Sequence, residues 1–226
     1  MIEGKDFIYT HIPKTAGTFI SECLINNKVG ERILTTHSPA FDAPRTKRML
    51  ASIRNPFEYY VSLYHFLREY RTRHPDVKLR RYNYIRAFRV NQSTFKQWML
   101  NIMNPEDKVG KVRFNFGHHQ VPVVKYMVDN DVGIYTIRYM YMTTEENDKL
   151  EGGSIIDSFI RVENLNEDLE KECGKMDIPT KKVNTSNHKH YSEYYDQELI
   201  DLVKHKSRVI IDRFNYHFEG GKDGND

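Results

Sequence analysis

Cysteine is nearly absent from this chain: its 226 residues hold two, Cys23 and Cys173. That excludes a disulfide framework, and Cys23, on the apolar face of an expected first helix, reads as a buried thiol rather than a nucleophile. Long apolar runs are missing too. None approaches the ~20 residues a membrane-spanning helix needs, and the first residues lack the basic and apolar regions of a signal peptide. The expectation is a soluble or cytoplasmic chain with no membrane span. An excess of one charge is also lacking: a net charge of +3 is too small to identify a partner. Internal repeats and low-complexity segments are absent. So is the Gly-x-x-x-x-Gly-Lys-Ser/Thr loop, which argues against an ordinary ATPase.

What is present is alternation. Short β-branched and aromatic runs are followed by segments with the spacing of one helix face, in the expected order strand 6–12, helix 18–27, strand 33–37, strand 49–54 and helix 56–72. A helix near 93–103, strands near 132–138 and 156–162, and helices 164–175 and 195–215 complete the reading. Such alternation predicts an α/β fold, with a central parallel sheet flanked by helices in three layers. At this length one domain over 1–218 is the simplest division. The stretch Glu219-Gly-Gly-Lys-Asp-Gly-Asn-Asp226 reads as a disordered tail.

The richest segment is Asp6-Phe-Ile-Tyr-Thr-His-Ile-Pro-Lys-Thr-Ala-Gly-Thr-Phe-Ile20. An expected strand stops at Pro13, a polar loop follows, and a helix begins. That arrangement aims backbone N–H groups and a helix N-terminus at an anion. Gly17 lets the backbone come close, Lys14 adds a point charge, and Thr15 and Thr18 add hydroxyls. Taken alone, the loop also fits a strand-to-helix turn with a solvated lysine. A second strand–turn–helix, Met49-Leu-Ala-Ser-Ile-Arg-Asn-Pro-Phe-Glu-Tyr-Tyr-Val-Ser62, ends its strand at Arg54. Pro56 there suits the first helical position, where its missing N–H costs nothing. A planar guanidinium can bind phosphate bidentately, and a serine hydroxyl can complete a cradle. Either residue alone also fits a surface ion pair or a helix filler.

The string His11-Ile-Pro-Lys-Thr-Ala-Gly-Thr18 resembles the 5′-phosphosulfate loop of sulfotransferases that use 3′-phosphoadenosine 5′-phosphosulfate (PAPS). The Arg54…Ser62 segment resembles the same family's 3′-phosphate motif. Weaker resemblances follow at 155–169, where Asn164 and Glu167 suggest a capped helix, and at 181–191, which resembles the closing loop of carbohydrate-type members. The resemblance implies a P-loop-like fold over roughly residues 5–218. It implies Lys14, Thr15, Ala16, Gly17 and Thr18 on the 5′-phosphate and Arg54 and Ser62 on the 3′-phosphate, with Lys181 and Lys182 as an added clamp.

Sulfuryl transfer to an alcohol needs a base for the acceptor proton and charge stabilisation at the departing phosphate. His37, expected to end the second strand, resembles the family's catalytic histidine, and an imidazole titrates in a useful range. The other reading is a structural histidine bonded to backbone. His11 stands as a supporting group and Asp42 as a reserve base. Lys14 would neutralise the leaving oxygen. The expected acceptor is a hydroxyl, of a carbohydrate by the resemblance. Two other readings stay open: a P-loop-type phosphotransferase, which would need a Walker lysine and an Asp for Mg²⁺, and a non-catalytic nucleotide- or glycan-binding relative.

Between Arg68 and Arg89, eight basic residues interleave with Tyr70, Tyr82, Tyr84 and Phe88. They read as an acceptor loop, a solvated face or, least favoured, a nucleic-acid surface; no nucleic acid is expected. No metal is implied. His118-His119 and His188-Lys-His190 look like ligand pairs, but neither has a Cys, Asp or Glu partner at a recognisable spacing, so both read as surface or substrate-facing. Tyr139 and Tyr141 are expected in the core, with an acceptor-lining role as the alternative.

Overall fold

The computed structural model describes residues 1–73 (71–73 by backbone alone), 90, 93–105, 113–145, 153–179 and 188–218. They form seven strands: β1 (Ile2–Gly4), β2 (Phe7–His11), β3 (Gly30–Arg32), β4 (Arg48–Ile53), β5 (Phe114–Phe116), β6 (His119–Val121) and β7 (Ser158–Arg161). They also form eight α-helices: α1 (Gly17–Asn26), α2 (Pro56–Arg73), α3 (Phe95–Met103), α4 (Val123–Asn130), α5 (Ile134–Thr143), α6 (Leu165–Cys173), α7 (Gln197–Lys206) and α8 (Arg208–Phe214). By its internal contacts the chain divides into two compact units. One comprises Met1–Arg54, Phe114–Val121 and Ile137–Thr185; the other comprises Asn55–Arg113, Pro122–Thr136 and Ser186–Asp226.

The first unit is α/β, and its sheet is mixed rather than wholly parallel. Strand order is β3-β1-β2-β4-β7; β2, β4 and β7 run parallel, while β1 lies antiparallel between β2 and β3. The three-residue β1 escapes a sequence reading because it is too short to show alternation. Both faces of β2 and β4 are apolar, which is why their sequences read as near-continuous apolar runs. Phe7, Tyr9 and Leu50 pack with Phe19, Ile20, Leu24 of α1 and Leu165, Leu169 of α6. Ile8, Met49 and Ala51, one residue out of phase, pack on the opposite face with Met1, Ala40, Ala43 and Ile156. β5 and β6 form a separate two-stranded hairpin in this unit.

The second unit is helical. Asn55 caps α2 by accepting from the Phe57 N–H (3.0 Å), and Pro56 takes the first helical position as expected. Thr94 and Gln97 close a capping box on α3. Trp98 is fully buried, and Tyr59 stacks face to face on Tyr135 at 3.6 Å.

Several expected elements are corrected. The strand near 132–138 is instead the start of α5. Residues 132–139 are buried without interruption, so the helix shows no polar face, and its β-branched and aromatic composition mimics a strand. The strand placed at 33–37 is β3, ending at Arg32. The helix expected over 195–215 breaks at the fully buried Ser207 into α7 and α8. Asn164 precedes α6 without a side-chain cap; Asp168 instead accepts from the Arg161 N–H at 2.7 Å. Among the described residues, no helix is long and apolar enough to cross a membrane.

Candidate functional site

The candidate site lies in the first unit, where parallel strands end together. His11 closes β2 opposite Ser52, and Ile53 of β4 pairs with Arg161 of β7, so the chain leaves β2, β4 and β7 along one edge. Ligands of open α/β sheets bind at that edge.

After β2 the backbone turns sharply. Lys14 (φ 74°) and Ala16 (φ 57°) both adopt the left-handed region, which costs a non-glycine residue about 1 kcal/mol or more. The result is a helix start without a side-chain cap: Ala16 occupies the cap position of α1 and makes no side-chain hydrogen bond. The first turn of a helix whose cap residue offers no side-chain acceptor, beside a lysine and the exposed Thr18, forms an environment suited to an anion.

Thr15 does something other than expected. It is fully buried, and its hydroxyl lies 2.7 Å from the Ile12 carbonyl and 2.7 Å from Ser52 Oγ. Tyr9 Oη lies 2.8 Å from the same Ser52 oxygen. Each hydroxyl has one proton, so the direction of the chain is fixed. Thr15 donates to Ile12, hence Ser52 donates to Thr15, hence Tyr9 donates to Ser52. Burial holds the Tyr9 phenol above its ordinary range, which keeps that proton in place. The Thr15 hydroxyl therefore ties the loop to β4 instead of facing outward.

Gly17 is required by a neighbour. A Cβ there would fall 1.9 Å from His11 Cγ, so the imidazole of His11 fills the space a side chain would take. His11 in turn meets His37 edge to face, with ring centroids 4.6 Å apart. His37 does not end a strand. It sits in the left-handed region (φ 65°), five residues past β3, in a loop pinned where Thr10 Oγ1 donates to the Ser38 carbonyl (2.8 Å). Burial, then the Arg138 guanidinium, lower His37 to about 4; burial, then His37, hold His11 well below the usual histidine range. Both imidazoles are thus neutral near pH 7.

Arg138, on α5, is a residue the sequence reading missed. It is 4% exposed, and its guanidinium lies 5.2 Å from the centre of the Phe114 ring. The one available signal was a charged residue inside an otherwise apolar run, and the misreading of that run as a strand hid it.

Arg54 follows β4 directly at the same edge and is half-buried, with its Nε shielded from solvent. Ser62 is buried on α2 in the second unit. Lys181 and Lys182 lie outside the described residues, as does the basic segment beyond Arg73. The reserve base Asp42 accepts from His119 Nε2 at 2.8 Å. Tyr139 is buried as expected, whereas Tyr141 is partly exposed and packs against Phe41 and Phe116. His188 stacks on His65, and His190 is exposed. A groove of about 620 Å³, lined by Arg45, Lys47, Met49, Glu145 and Asp157 among others, lies near the start of β4 and includes none of the edge residues above. The unusual backbone and the perturbed histidines favour the edge over this groove.

No protein-family model matches the chain, and no curated protein or solved structure is significantly similar to it.

Proposed function

We propose that this chain is a PAPS-dependent sulfotransferase acting on a hydroxyl acceptor, with a carbohydrate hydroxyl as the expected class. The observation that supports this reading is a single edge of the sheet that combines the uncapped start of α1 behind Lys14, a neutral His37 and Arg54 after β4. When bound, PAPS would supply an activated sulfuryl group on a phosphate leaving group. The residues fit such an anion: Lys14 and Thr18 flank the first turn of a helix whose cap residue, Ala16, makes no side-chain hydrogen bond.

The remaining roles belong to the chain itself. The first-turn amides hold a 5′-phosphate, and Lys14 offsets the charge that develops on the departing oxygen. By the resemblance Arg54 takes the 3′-phosphate, and Ser62 carries the same assignment from its motif alone. His37 accepts the acceptor's proton. Its low affinity for that proton in the free protein comes from burial and Arg138; negative charge brought beside it raises that affinity toward the ordinary value.

Calorimetric binding of 3′-phosphoadenosine 5′-phosphate beside AMP and ATP, without added metal, tests the reading. The bisphosphate is expected to bind at micromolar concentration and at least tenfold more tightly than AMP. Arg54→Ala should remove that preference, and Lys14→Ala should weaken both ligands. Equal affinity for the bisphosphate and AMP overturns the proposal in favour of a phosphotransferase or a binding module.

A further inference from the structure

A second cluster in the first unit is untouched by this chemistry. His118 lies in the tight turn between β5 and β6, His119 opens β6, and Asp42 ends the short 3₁₀ turn Ala40–Asp42. The fold brings them together across 77 residues of chain: Asp42 Oδ1 accepts from His119 Nε2 at 2.8 Å, and Asp42 Oδ2 lies 3.9 Å from His118 Nδ1. One ligand atom from each residue falls within 4.8 Å of the other two. Ligand atoms about 2.0–2.2 Å from one ion stand roughly 3 to 3.5 Å apart. The observed separations bracket that range, so small side-chain rotations suffice.

An independent observation points to a ligand. Asp42 Oδ2 is buried, yet it has no hydrogen-bond partner among the described residues. A shielded carboxylate oxygen with unsatisfied lone pairs is costly unless something positive meets it. The turn is also built to approach it. Gly117 has φ +59°, and a Cβ there would lie 2.9 Å from Ser38 Oγ and 3.4 Å from Asp42 Oδ2. Phe41 holds the His119 ring edge to face at 5.2 Å. The Asp42 and His119 side chains are 11% and 21% exposed, whereas His118 is 79% exposed, which leaves the outer side open to water.

We propose that Asp42, His118 and His119 form a binding site for a divalent transition metal, with zinc as the expected ion. Two imidazoles and one carboxylate with an open position suit a borderline-soft cation better than Mg²⁺ or Ca²⁺. His119 would bind through Nε2 as the neutral tautomer protonated on Nδ1. The ion would tie the β5–β6 turn to the segment that carries His37, five residues before Asp42.

Zn²⁺ titration of the metal-stripped full-length chain against a chromophoric chelator tests this, with Co²⁺ absorption reporting the ligand set. One equivalent is expected per chain. Asp42→Asn and His118→Gln should each weaken binding at least tenfold, while a His188→Gln/His190→Gln double variant should bind as the parent does. His118 is too exposed for its substitution to unfold the protein, and a thermal melt checks this. Unchanged affinity in His118→Gln, loss confined to the His188/His190 variant, or no stoichiometric binding overturns the proposal.

Discussion

At the scale of single residues, the site depends on a few positions whose environment overrides their ordinary preference. Gly17 is the clearest. Alanine is the better helix former by up to about 1 kcal/mol, so Gly17→Ala would stabilise an isolated helix. Here its Cβ would sit 1.9 Å from Cγ of a His11 that is itself only 5% exposed. Overpacking of that kind costs about 1–3 kcal/mol and wins. Gly17→Ala should lower the urea midpoint, and a stability equal to or above the parent's would show that His11 moves away freely. The requirement for glycine at this position was legible as a loop motif. Its cause was not, because the partner is a side chain six residues earlier on the neighbouring strand.

At the scale of elements, the loop between β2 and α1 is held by the hydroxyl chain from Tyr9 through Ser52 and Thr15 to the Ile12 carbonyl. Ser52→Ala leaves the fully buried Tyr9 hydroxyl without its acceptor and should cost about 1–3 kcal/mol. Adding Tyr9→Phe removes the stranded group, so the double variant should be less destabilised than the two single changes together, in a double-mutant cycle read by denaturant unfolding. Additive effects would mean the three hydroxyls do not act as a chain. Element reading from sequence succeeded for β2, α1, β4 and α2, where strands and helices alternate with strong apolar patterns and Pro56 marks a start. It failed at α5, because burial on every side removed the polar face by which a helix is recognised.

For the whole molecule, the two neutral histidines make stability depend on pH. The folded-state pKa of His37 lies at about 4, below the ~6.5 of an unfolded histidine, and His11 is shifted in the same direction. Between about pH 6.5 and 4 the unfolded chain binds protons that the native chain does not, so stability falls as pH falls through that window. His37 alone accounts for roughly 2–3 kcal/mol at the acid end. Urea midpoints measured from pH 7 to 4.5 should drop, and His37→Gln should flatten the curve. A parallel curve for the variant would locate the acid sensitivity elsewhere.

The sequence by itself determined the α/β class, the strand–loop–helix that carries Lys14, the position of Arg54 after a strand and the interest of His37. Each rests on local patterns: apolar periodicity, a proline at a helix start, and polar residues between two elements. Only the tertiary structure decided the antiparallel β1, the inward role of Thr15, the burial of Arg138 and the meeting of Asp42 with His118 and His119. These depend on contacts between residues far apart in the chain, and on burial that changes what a side chain can do. Spacing in the sequence carries information about neighbours along one element; it carries none about a carboxylate brought 77 positions across the fold.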